Sequence, residues 1–164
     1  MSFLFKLTDL HAALARLLDK LQPLALLAAR LYLADVFIKS GWIKFTSWDS
    51  TVDLFTTEYH VPVLPPLPAA VMGTFGELFF PTLLVLGLFG RLGALGTFFV
   101  NAMAVISYSH VLLGEGFEAA LGQHILWGTL ALGLIVFGPG SISVDRLLER
   151  RSAARCRPLA PALS

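Results

Sequence analysis

Glu77 is the one charge in an apolar stretch from Leu67 to Phe89, and Arg30, Asp35 and Lys39 interrupt a similarly apolar stretch before it. A charge held at the centre of a bilayer costs roughly 2.5–3.5 kcal/mol, so such groups must face one another, water or a ligand. Asp35 and Lys39 are four residues apart with the acid first, the favourable order for an ion pair on one helix face. Glu77 has no oppositely charged neighbour on its own helix and needs a partner from another one; Lys39 is the expected partner. A buried carboxylate facing a Lys–Asp pair can relay a proton or bind a polar headgroup. The alternative is a structural pair that holds the first helix against its neighbours.

His110 and His124 fall on consecutive antiparallel helices at similar depth, a placement able to ligate haem or a metal between helices. No third ligand accompanies them, so no metal site is assigned; hydrogen-bonding histidines or contacts to a quinone-like ligand are the other readings. Asn101 lies mid-span, where interhelical hydrogen bonding is the ordinary role. His60 and His11 are expected to be solvated or interfacial, and Tyr32, Trp42, Trp48, Tyr59, Tyr108 and Trp127 to form interfacial belts. Phosphate-loop, nucleophile-elbow, zincin and dinucleotide motifs are absent, and there is no basic cluster with interleaved aromatics to suggest nucleic acid.

The elements that must position these groups are transmembrane helices. Of 164 residues, 56% are hydrophobic and 14% charged, and the mean hydropathy is +0.75, which excludes an ordinary soluble domain. Cys156 is the only cysteine, so redox chemistry would require a bound cofactor. No short apolar segment ends in a cleavage site, and no signal peptide is expected.

The fold expected is all-α: an integral membrane four-helix bundle preceded by an amphipathic helix. Over residues 1–21, Phe3, Leu7, Leu10, Leu14, Leu17 and Leu21 recur at spacings of three and four between Lys6, Asp9, Arg16 and Lys20. This helix either lies in the headgroup plane or packs on the bundle. The bundle occupies residues 22–140, with spans at about 22–45, 67–89, 92–113 and 118–137. Between the first two, Ser50 and Asp53 suit a helix cap, and Pro62, Pro65, Pro66 and Pro68 end a short outer helix. Gly90-Arg91 is expected as a tight turn, and Gly138-Pro139-Gly140 ends the fourth span. Ser143-Val144-Asp145 caps a helix in a basic tail, 141–164.

Lys6, Arg16, Lys20, Arg91, Arg146, Arg150, Arg151, Arg155 and Arg157 lie on one side of the even-numbered crossings. The first and third connections carry only Asp49, Asp53, Glu58, Glu115 and Glu118. Both termini are therefore expected in the cytoplasm. At ~1.5 Å per residue, Arg30 and Arg91 fall near the cytoplasmic face, and Glu77, Asn101 and Asp35 near the middle. Lys39, His110 and His124 then fall in the outer half.

An ordered set of motifs resembles the DoxX family of small four-helix bacterial membrane proteins. It comprises Arg30, then Ser40-Gly41-Trp42-Ile43-Lys44, Gly76-Glu77, Gly87-Leu88-Phe89-Gly90-Arg91, and Gly138-Pro139-Gly140-Ser141-Ile142-Ser143-Val144-Asp145. Arg30, Gly41, Lys44, Glu77, Arg91 and Asp145 are the motif positions. Ser40 stands where the family often has histidine, and His110 and His124 are outside the pattern. The resemblance implies the bacterial inner membrane and, from the family's name-giving subunit of a thiosulfate:quinone oxidoreductase, a link to membrane redox or stress systems. The functional expectation is an accessory subunit rather than a stand-alone enzyme. It binds quinone or another amphiphile near Asp35, Lys39, Glu77, Asn101, His110 and His124, with electrons supplied by a partner. The other readings are a carrier or export factor working as a homo-oligomer, and a haem-binding electron carrier.

Overall fold

The computed structural model describes residues 2–155, with side chains from 7 to 153; the side chains of Phe3, Lys6 and Arg155, and all of Cys156 and Arg157, lie outside the described residues. The helices are α1 (Ser2–Thr46), α2 (Trp48–Thr57), α3 (Pro66–Leu86), α4 (Gly90–Ser107), α5 (Ser109–Leu112), α6 (Glu118–Phe137) and α7 (Val144–Arg155). Four of them, α1, α3, α4 and α6, are long and apolar enough to cross a membrane. At ~1.5 Å per residue, α3, α4 and α6 measure about 27–32 Å, close to the hydrocarbon thickness of a bilayer.

α1 differs from expectation. Its 45 residues form one helix with no boundary near residue 21, about 68 Å long and more than twice the hydrocarbon thickness. Pro23 lies inside it, leaving the Asp19 carbonyl without its usual donor. The turn between α3 and α4 is also earlier than expected. α3 stops at Gly87, which adopts the left-handed conformation (φ +63°), and Gly90 already belongs to α4. α4 ends at Ser107 instead of running to residue 113, because Tyr108 leaves helical geometry before α5. α2 begins after Ser47, and its cap comes from neither Ser50 nor Asp53; the Thr51 hydroxyl instead donates to the Ser47 and Lys44 carbonyls.

α1 packs on α3, α3 on α4, and α4 on α6, while α2 covers α3. The main core is Leu33, Phe37, Leu84, Ala94, Ala131 and Leu134, and a smaller one under α2 joins Phe55, Ala69 and Ala70. Trp42, Ile43, Met72, Phe75, Phe99, Ile125 and Val136 face outward. So large an apolar exterior suits lipid, not water.

One end of the bundle is tied by two opposite charges. Arg30 is only 1% exposed. Its guanidinium donates to the carbonyls of Leu84 and Val85, in the last turn of α3, and to those of Pro139 and Ile142 in the segment before α7. It thereby adds a donor to Leu84, whose carbonyl also accepts from Gly87 N–H, supplies one to Val85, and places a positive charge at the negative end of the α3 dipole. The Asp145 carboxylate complements it by accepting from the backbone N–H groups of Phe89 and Gly90, at the start of α4, at 2.8 Å each. Asp145 N–H also donates to the Gly87 carbonyl. A Cβ on Gly87 would lie 2.5 Å from an Arg30 nitrogen and 2.6 Å from Ser143 Cβ, so both space and backbone conformation demand glycine there.

Replacing Arg30 by Leu should therefore remove the side-chain donor to four carbonyls, of which, among the described residues, Leu84 alone keeps a backbone donor, and lower stability by about 3 kcal/mol or more. Thermal unfolding in detergent should show a large drop in midpoint, partly recovered in Arg30→Lys; an unchanged midpoint would show that the knot is dispensable.

Candidate functional site

At the opposite end of the bundle, Lys44 Nζ contacts both Glu77 carboxylate oxygens at 2.7 Å and donates to the Ser40 hydroxyl at 2.8 Å. The two side chains are 12% and 10% exposed. All three ammonium hydrogens are used, as burial of the charge requires. Gly41 makes the contact reachable. A Cβ at that position would lie 2.9 Å from Glu77 Cβ and from Leu78, so only glycine lets α3 approach α1 this closely. Lys44, just under one turn further along α1, then reaches across to Glu77.

Lys39 is not the partner of Glu77. It pairs with Asp35 at 2.8 Å, in the order that their spacing implies, but on an outer face where the side chains are 72% and 58% exposed. The error came from measuring depth from the span ends. Glu77 is 11 residues into α3, and its contact with Lys44 brings it level with the last turn of α1, so the two helices do not start at one height.

Beside the ion pair is a cavity of about 440 Å³ between α2, α3 and α4. Lys44, Glu77, Tyr59 and Ser107 supply its polar wall, and the rest is apolar, including Phe55, Phe80 and Val100. Met72, Phe75, Phe99 and Met103 line it and are also exposed on the outside of α3 and α4. The cavity therefore opens sideways, toward lipid, while its charged group lies at the wall.

Tyr59 was expected in an interfacial belt but belongs to this wall. It follows α2, and its ring packs edge-on against Phe55 at 4.9 Å and Tyr108 at 5.2 Å. Its hydroxyl makes no hydrogen bond among the described residues. Burial pushes the phenol above the usual tyrosine range, with the Glu77 charge and Tyr108 acting in the same direction. It therefore stays protonated at neutral pH and is available as a donor.

The remaining polar residues are elsewhere. Asn101 and His124 clasp α4 to α6. The Asn101 amide nitrogen donates to the His124 carbonyl at 2.9 Å, so its oxygen must face His124 Nδ1, 2.8 Å away, and that nitrogen carries the proton. His110 lies against His60, ring centroids 4.5 Å apart, and against Tyr108. His110 and His124 do not touch each other. Among the described residues no group of three His, Cys, Asp or Glu could hold a metal ion. Arg91 lines a separate cleft between the α3–α4 turn and α7, with Asp145 and Arg146.

Fold and site together define a small multi-pass helical membrane protein with a buried Lys–Glu pair bordering a lipid-facing cavity. The chain belongs to the DoxX family, whose model matches residues 25–110. It is 31% identical over 136 residues to the inner membrane protein YphA of Escherichia coli (strain K12), an alignment spanning 76% of this chain and 91% of that protein. No solved structure matches.

Because each partner leaves the other's charge buried, Lys44→Met alone or Glu77→Gln alone should lower stability by about 3–5 kcal/mol, and the double variant by clearly less than the sum. A double-mutant cycle of thermal or denaturant unfolding measures the coupling; simple additivity would show that the two side chains do not meet.

Proposed function

We propose that the cavity binds the polar head of a lipid-soluble amphiphile, a quinone or a molecule like it, and that the protein acts as an accessory subunit of a membrane redox system. The observation that carries this reading is the cavity itself: an apolar chamber open toward lipid with an ion pair and a protonated phenol in one wall. Sites for such ligands are mostly apolar with a few placed polar groups. Its volume lies within the ordinary range of about 300–1,000 Å³ for small-molecule sites. Both termini are taken as cytoplasmic from the distribution of basic residues, which puts the cavity toward the outer leaflet.

The roles differ from those expected of Lys39 and the histidines. Tyr59, with an unused hydroxyl, is the donor to a ligand carbonyl. Glu77 is the carboxylate that would exchange a proton with the ligand, and Lys44 holds it in place. Asp35, Lys39, Asn101, His110 and His124 do not line this cavity and have no part in this scheme. Electrons would come from a partner.

Gentle purification with mass analysis of co-extracted small molecules should recover a quinone-like amphiphile. Ala104 lines the cavity, and Ala104→Phe fills part of it while leaving both members of the ion pair unsubstituted. That variant should fold and lose the amphiphile, with retention falling on the order of tenfold, the equivalent of about 1.4 kcal/mol. Glu77→Gln should keep the cavity but uncouple proton uptake from ligand reduction. Equal retention in wild type and Ala104→Phe would rule out this chamber as the site.

A further inference from the structure

The first half of α1 carries a feature that the bundle does not use. Leu7, Leu10, Leu14, Leu17, Leu21 and Leu24 follow one another at spacings of three, four, three, four and three, which is the a/d pattern of a heptad repeat, with leucine at every position. On a helix of 3.6 residues per turn a strict 3.5-residue seam winds by ~20° per heptad, and two helices that coil around each other keep such a seam in contact over its whole length. All six side chains are exposed, from 46% for Leu7 to 67% for Leu10. Asp9, Arg16 and Asp19 lie at c and f positions, away from the seam.

We propose that this seam pairs with the same seam of a second copy of this chain, forming a parallel two-stranded coiled coil that holds two bundles together. A helix resting in the headgroup plane would have to turn where it meets the transmembrane segment. α1 passes through residues 20–24 as one helix, Pro23 included, so the leucine seam and the span belong to a single helical element. Two copies inserted the same way in one membrane can align their α1 helices only in parallel, which places each leucine opposite its counterpart. The exposed leucine area is roughly 500 Å² per chain, or about 1,000 Å² for a pair, the size at which an interface becomes specific. Confinement to one membrane plane raises the effective concentration of the two seams and favours a coil only about three heptads long. This pairing is independent of what the cavity holds.

The test uses the full chain in native membranes with Cys156→Ser as background, adding single cysteines on the seam (Leu10→Cys, Leu14→Cys, Leu17→Cys, Leu21→Cys) or off it (Ala12→Cys, Ala15→Cys, Asp19→Cys). Since a disulfide needs Cα atoms within about 7 Å, mild oxidation should link seam positions on the order of tenfold faster than the others. The same cysteines carrying a fluorophore should be insensitive to lipid-borne quenchers. Equal cross-linking on both faces would overturn the proposal. So would absent cross-linking with seam fluorophores quenched by lipid, which is the result for a helix lying in the headgroup plane.

Discussion

A charge inside a bilayer must be met by an opposite charge or by hydrogen-bonding groups that replace water, and this requirement determines both ends of the bundle. At one end Arg30 gathers four carbonyls and Asp145 gathers two amides. At the other Lys44 and Glu77 meet with Ser40 completing the ammonium's bonds. Between them the helices pack mainly through small and apolar side chains, with the Asn101–His124 clasp joining α4 to α6. The polar contacts and the close approach at Gly41 together fix the register of α3 against α1.

The two ends differ in kind. Arg30 and Asp145 bind backbone groups at the ends of α3 and α4, so they stabilise helix termini and the segment leading into α7. The Lys44–Glu77 pair binds side chain to side chain, borders open space and has the Tyr59 hydroxyl nearby without a partner. Among residues that share the same family motifs, one charged group thus binds helix ends and the other borders a cavity.

The four apolar spans were legible in the sequence, because hydropathy and length alone decide them. So was the Asp35–Lys39 pair, a consequence of four-residue spacing, though its exposure was not. The partner of Glu77 was out of reach, since it depends on the relative height of α1 and α3, which Gly41 and the α2 connection set through packing. Tyr59 was missed for a similar reason: an aromatic after a short outer helix has the same sequence signature whether it sits in a lipid belt or closes a cavity. The continuity of α1 through Pro23 also ran against the local signal, because proline is ordinarily read as a helix start.

The contact between Lys44 and Glu77 is the most direct point at which to test this account. Solid-state NMR of the protein in lipid bilayers, with ¹⁵N at the lysine ammonium and ¹³C at the glutamate carboxyl, measures their dipolar coupling without perturbing either group. A strong coupling assigned to Lys44 and Glu77, consistent with nitrogen–oxygen contacts of 2.7 Å, is the expected result. A folded, inserted protein in which Glu77 couples to Lys39, or to no lysine, would contradict it.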